Sequence, residues 1–229
     1  MEDRRHFEIK SKLIEDEYRK VINSLKQQKR LTPRHRDLLC NFIPNLMCRA
    51  KPYREIFQSC LDFPDAKEAF LNEITMFWPE QLPILKTSLS NIPEDTHLNY
   101  VIGHVMNHLI KVLRSFNFAI LKDYGNRGWF TSDNPVVIDP QENNTDMEDK
   151  YPWIIPVDSE IYFPLSSDYC AFIFHPKSKK NSNPLRELKP NKVNEIDDNN
   201  HDRICRMIGQ HESEYFIFNQ EIEPTFLDR

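Results

Sequence analysis

Apolar residues recur three and four apart over 5–29: Ile14, Tyr18, Val21, Ile22 and Leu25 share one helical face, with Glu15, Asp16, Arg19 and Lys20 opposite. That division predicts a helix lying on the surface. Thr32-Pro33 then reads as a helix start. The threonine hydroxyl caps free amides, and a proline at the first helical position gives up only an amide that had no partner. Leu38, Leu39, Phe42, Ile43, Leu46 and Met47 continue as an apolar stripe, in which Pro44 removes one hydrogen bond and predicts a kink. Pro52 predicts a second break, followed by short helices over 53–61 and 65–77. Pro79, Pro83 and Pro93 predict irregular connections over 78–96. From Asp95 or Thr96 to about 116, Leu98, Val101, Ile102, Val105, Met106, Leu109, Val112, Leu113 and Phe116 predict the central helix of the core.

The period then changes. Phe118–Leu121, Trp129–Thr131, Val136–Ile138, Ile161–Phe163, Tyr169–Phe174 and Tyr215–Phe218 read as strands. Asp123–Asn126 reads as a turn, and Pro164–Asp168 joins two strands as a hairpin. Residues 139–152 and 176–192 are polar loops, and Asn194 to about Gly209 reads as a last helix. Helices segregated before strands argue for an α+β fold, a helical part over 5–116 packed on a mostly antiparallel sheet from 117–229. No flexible linker parts the two, so 1–229 is expected to form one domain.

Composition narrows the class rather than the function. The 229 residues are 39% hydrophobic and 11% aromatic, enough for a sizeable core. A net charge of −5 disfavours a protein built as a whole to hold phosphate, though Lys26, Lys29, Arg30, Arg34, His35 and Arg36 form a local basic run, which reads first as a solvated helix end. The five cysteines are odd in number and include no C-x-x-C pair, which points to a reducing compartment. Glu2-Asp3-Arg4-Arg5 is followed by no apolar signal region, and no apolar stretch has spanning length, so the expected location is the cytoplasm with no membrane partner.

Candidate chemistry is sparse. His104 and His108 stand four apart on the central helix, a spacing that suits zinc, but no glutamate lies between them and no third ligand is placed. They read first as histidines edging the core. Thr131-Ser132-Asp133-Asn134-Pro135 is the densest polar cluster between two apolar strands. It reads as a rigid Asx-type turn or as a strand-end site in which Asp133 acts as an acid, base or metal ligand. Ser166 and Ser167 lack a nucleophile-elbow setting. With Gly103, Gly125, Gly128 and Gly209 as the only glycines, no phosphate or dinucleotide loop can be drawn, and no cofactor is expected.

The run Phe130-Thr131-Ser132-Asp133-Asn134-Pro135-Val136 resembles the F-[IL]-T-S-D-N-P-V signature of the bacterial domain-of-unknown-function family 4238. Phe163–Asp168 is similar to its F-P-L-S-P-[DE] element, Val193–Asp197 to its V-N-x-[LI]-N segment, and Arg49–Arg54 to its arginine-proline element. The resemblance runs from about residue 30 to the C-terminus. The chain opens without the H-x-x-P-x-x-Y-L element usual in that family, which implies a form shortened at the front and weighs against catalysis. The family label implies no reaction, only an association with mobile elements and defence. Two expectations follow. One is a cytosolic macromolecule-interaction module, with a protein partner favoured over nucleic acid. The other is a hydrolase or nuclease with Asp133 and Asn134 catalytic, and Arg49, Arg54, Thr131, Ser132 and Asn194 binding.

Overall fold

A computed structural model describes residues 16–62, 67–68, 71–72, 82–91, 97–125, 127–139, 155–178, 183–210 and 216–217. Helix α1 covers 16–28; its expected beginning over 5–15 lies outside the described residues. α2 (Pro33–Arg49) starts as its sequence dictates: Thr32 is extended, and its hydroxyl accepts the His35 N–H at 3.2 Å. α2 runs unbroken through the buried Pro44. It stops at Ala50, whose ψ of 139° is incompatible with a helix. α3 (Lys51–Asp62) then begins with Pro52 in its first turn, where a missing amide costs little. Short helical pieces at 67–68 and 71–72 precede α4 (Leu82–Asn91). α4 corrects the middle of the expected irregular stretch over 78–96, whose ends lie outside the described residues: Pro83 is the second residue of the helix, a position that initiates rather than interrupts. α5 (His97–Arg114) buries Val101, Ile102, Val105, Leu109 and Leu113 along one stripe.

The second half builds a five-stranded sheet in the order β3-β4-β5-β1-β6. Its strands are β1 (Asn117–Asp123), β3 (Val137–Asp139), β4 (Glu160–Pro164), β5 (Cys170–Phe174) and β6 (Val193–Ile196). All neighbours are antiparallel except β1 and β6, which run parallel with Ile120 opposite Val193 and Asp123 opposite Ile196. A separate ribbon pairs β2 (Thr131–Ser132) with β7 (Phe216–Ile217). α6 (Asp198–Gln210) follows β6 after the single residue Asp197. The helix expected from Asn194 therefore begins later, because Val193–Ile196 complete the sheet edge beside β1. This is an α+β fold, with a helical first half and a mostly antiparallel sheet in the second.

Strand alternation sorts the core into two layers. Phe118, Ile120, Ile161, Phe163, Ala171 and Ile173 join the helical core with Leu39, Ile43, Val105 and Leu109. Ala119, Leu121, Tyr162, Cys170, Phe172 and Phe174 face the other way, onto Trp129, Ile204, Cys205 and Ile208. On the first face Tyr18 stacks on Phe42 at 4.4 Å, and its hydroxyl donates to the Leu165 carbonyl. The sheet is thus covered on one face by the early helices and on the other by α6. The five cysteines are free, and burial pushes the Cys40 thiol up to about 11 and the Cys48 thiol up to about 12.

Candidate interaction site

The carboxyl ends of the two parallel strands meet the beginning of α6. In sheets with parallel strands this is where ligands are usually held, because chain ends and helix amides converge there. Asp123 closes β1 and is 3% exposed. Its Oδ2 accepts the Arg127 N–H at 2.7 Å, which ties Arg127 back to the end of the strand. The Arg127 guanidinium lies 3.4 Å from the same oxygen, 2.8 Å from Asp202 Oδ1 and 3.3 Å from Asp198 Oδ1. One cation therefore ties the turn to two successive turns of α6. A methyl at Gly125 would lie 3.3 Å from Asp198 Oδ1 and 3.5 Å from Asp123 Oδ2, so a bare residue leaves room for the knot. Burial pushes the Asp123 carboxyl up, but the Arg127 N–H and guanidinium, with His201, outweigh it and hold the group below the ordinary carboxylate range. Asp123 Oδ1 is buried without a hydrogen-bond partner.

His201 continues the cluster inward. Its Nε2 lies 2.8 Å from the Gly128 carbonyl, a contact that requires a proton on that nitrogen. Its ring packs 4.6 Å from Trp129, and Cys205 Sγ lies 3.6 Å from Nε2. Burial, then Asp202, pushes the Cys205 thiol up to about 12, so it is no nucleophile at neutral pH.

Outside the knot is a pocket of about 440 Å³, lined by Tyr124, Glu195, Ile196, Asp197, Asp198 and Asn199. Tyr124 is 75% exposed, one of three large hydrophobics in that state among the described residues. Asp197 caps α6, its Oδ1 accepting the Asn200 N–H at 2.8 Å. The lining combines an open aromatic ring with three carboxylates, and the nearby Arg127 is already neutralised.

A second polar cluster lies under α6. Glu160, 1% exposed, accepts from Asn183 Nδ2 at 2.5 Å, from the Tyr162 hydroxyl at 3.0 Å and from Arg186 Nε at 2.7 Å. Arg203 reaches in from α6 to the Tyr162 hydroxyl at 3.3 Å. This set is closed on itself and fastens the 183–188 segment to β4. Its sequence signal is an acid leading an otherwise apolar strand, Glu160-Ile161-Tyr162-Phe163. The Arg127 knot has no comparable signal, since its partners come from two stretches some seventy-five positions apart, Asp123 in β1 and Asp198 and Asp202 in α6.

The residues singled out from sequence lie on different elements. In the β2 turn, Ser132 Oγ receives the Asn134 N–H at 3.2 Å and donates to the Asn134 carbonyl at 3.0 Å. Thr131, Asp133 and Asn134 are half-buried around it. Arg49 is exposed at the end of α2, and Arg54 is half-buried in α3. Asn194 is engaged with its own loop, accepting the Lys189 N–H at 3.1 Å and donating to the Lys189 and Lys192 carbonyls at 3.1 and 2.8 Å. His104 packs on Tyr100 at 4.7 Å. Burial lowers both helix histidines, His108 to about 4, so both are neutral at physiological pH. No group of three or more His, Cys, Asp or Glu suited to a metal occurs among the described residues, and none of their helices is long and apolar enough to cross a membrane.

Comparison with known families bears out the family resemblance. The model of the family described as protein of unknown function (DUF4238) matches residues 1–219, extending the resemblance to the start of the chain. No curated protein and no solved structure matches. The chain belongs to the DUF4238 family.

Proposed function

We propose that this chain is a macromolecule-interaction module that takes cationic side chains of a protein partner into the pocket between β1, β6 and α6. The observation that carries the reading is the lining of that pocket: Tyr124 exposed beside Glu195, Asp197 and Asp198. Carboxylates attract an arginine or lysine, and an open tyrosine face adds a cation–π contact. The same charges repel phosphate, which favours protein over nucleic acid at this position. The reading treats the chain as one α+β unit, which is supported by a helical core cluster that includes residues of β1, β4 and β5, and assigns it to the cytoplasm. The association with mobile-element or defence functions that the family resemblance implies belongs to the same proposal.

Calorimetric titration with an arginine-rich peptide tests it, with a glutamate-rich peptide as control. Tyr124→Ala and Glu195→Gln alter exposed side chains that make no packing contact in the core. Each is expected to weaken arginine-peptide binding about fivefold or more, the scale of a lost cation–π or charge contact. Absence of binding, or binding indifferent to both variants, overturns the reading.

A further inference from the structure

The opposite end of β6 carries the opposite charge. Residues 29–31 run antiparallel beside 191–193, with Arg30 directly across from Lys192 in an isolated bridge. Leu31 N–H donates to the Asn191 carbonyl at 2.8 Å, and Val193 N–H donates to the Lys29 carbonyl at 3.0 Å. Lys29, Arg30, Lys189 and Lys192 are all exposed. The neighbouring cations are neutralised, Lys26 by Asp168 at 3.0 Å and Arg34 by Glu17 at 3.4 Å. Among the described residues, none of the four bridge cations has an ion pair.

Two features make this arrangement costly in isolation. Like charges directly opposite on paired strands repel. The backbone is also strained here: Lys29 (φ 53°) and Asn191 (φ 59°) are the non-glycine residues with positive φ among those described, and they flank the bridge on both strands. The loop is nonetheless firmly held. Asn191 N–H donates to the Phe118 carbonyl at 2.6 Å, Ile120 N–H to the Lys192 carbonyl at 3.0 Å, and the Asn194 amide clamps Lys189 and Lys192 from below. Four cations are thus held on a fixed frame, without an ion-pair partner among the described residues.

The geometry points to a sequence-independent binding surface for the phosphodiester backbone of a nucleic acid, formed by Lys29, Arg30, Lys189 and Lys192. Protein interfaces are depleted in lysine and centred on aromatic or apolar anchors, and this patch has none. A membrane surface calls for apolar side chains to insert, whereas the exposed large hydrophobics among the described residues are Ile84, Tyr124 and Val157. Phosphates ask only for spaced cations, and Arg30 can grip two oxygens of one phosphate.

The test is fluorescence anisotropy of a labelled single-stranded oligonucleotide of about 20 nucleotides, long enough to cross the patch, titrated with the full chain over a range of salt. Four cations give an expected slope of log affinity against log salt of about −3. The double variant Lys189→Glu, Lys192→Glu is expected to lose tenfold or more in affinity, and Lys189→Gln, Lys192→Gln to flatten the slope by about one to two. The neutral pair serves where charge reversal prevents folding, checked by thermal melting. The proposal is overturned by absence of oligonucleotide binding at low salt or by binding that the neutral pair leaves unchanged. Equal binding to polyglutamate or to phosphatidylserine vesicles also overturns it, assigning the patch to an acidic protein or a lipid surface.

Discussion

The two ends of β6 handle charge in opposite ways. At its carboxyl end Arg127 is met by Asp123, Asp198 and Asp202, and the turn after β1 is locked to α6. At its amino end Arg30 faces Lys192 on strained backbone, with no counter-charge paired to either among the described residues. Charges that hold the fold are buried or ringed by partners, as Glu160 is by Arg186, Asn183 and Tyr162. Charges left exposed and unmatched add nothing to stability and stay open to a partner. The comparison makes separable predictions: substitutions in the first class lower stability, and substitutions in the second leave it unchanged or raise it.

The largest effect belongs to Glu160. Glu160→Ala leaves Arg186 desolvated beside an empty acceptor site, and breaking a buried pair in this way costs about 3 kcal/mol or more. The melting temperature is expected to fall by about 6 to 12 °C in a chain of this length. An unchanged Tm would remove Glu160 from the class of charges that hold the fold.

Asp123 comes next and carries a pH signature. Its carboxyl is held below its unfolded value, so its contribution is fully present above about pH 4 and is lost as pH falls through the lower folded pKa. Wild type is expected to lose stability with acidification below about pH 4 more steeply than Asp123→Asn, which has no proton to take up there. At neutral pH the variant is expected to be about 1 to 2 kcal/mol less stable, since a neutral amide replaces a carboxylate accepting two donors. Parallel pH profiles of wild type and variant would break the assignment.

The smallest effect runs the other way. Lys192→Ala relieves the like-charge pair and is expected to raise stability by a few tenths of a kcal/mol at low salt, a rise in Tm of about 1 °C. The gain should vanish at high salt, where exposed charges are screened. A destabilising Lys192→Ala would put that lysine among the residues that hold the fold.

Sequence patterning carried much of the architecture, because most of it is local. The Thr32-Pro33 start, the α5 stripe and the β4–β5 hairpin each follow from residues within a few turns or strand lengths of one another. What it missed depends on distant partners. Asn194-Glu195-Ile196 is too short to show alternation and becomes a strand only beside β1, some seventy positions earlier in the chain. α4 was hidden by Pro83, whose meaning reverses between a helix interior and its first turn. The basic run at 26–36 was visible, but Lys189 and Lys192 reach it only through the Arg30 bridge. The Asp133 turn was legible as a family signature, and the Ser132 bonds to Asn134 give it a local structural use.

The central claim is that the acidic pocket at the carboxyl end of β6 receives a cationic side chain. Amide chemical-shift mapping of the isotope-labelled chain during titration with an arginine-containing dipeptide tests it directly. The account predicts saturable shifts concentrated at Tyr124 and Glu195–Asn199, abolished in Tyr124→Ala, Glu195→Gln. Shifts that centre elsewhere on the molecule, or none at saturating peptide, would contradict it.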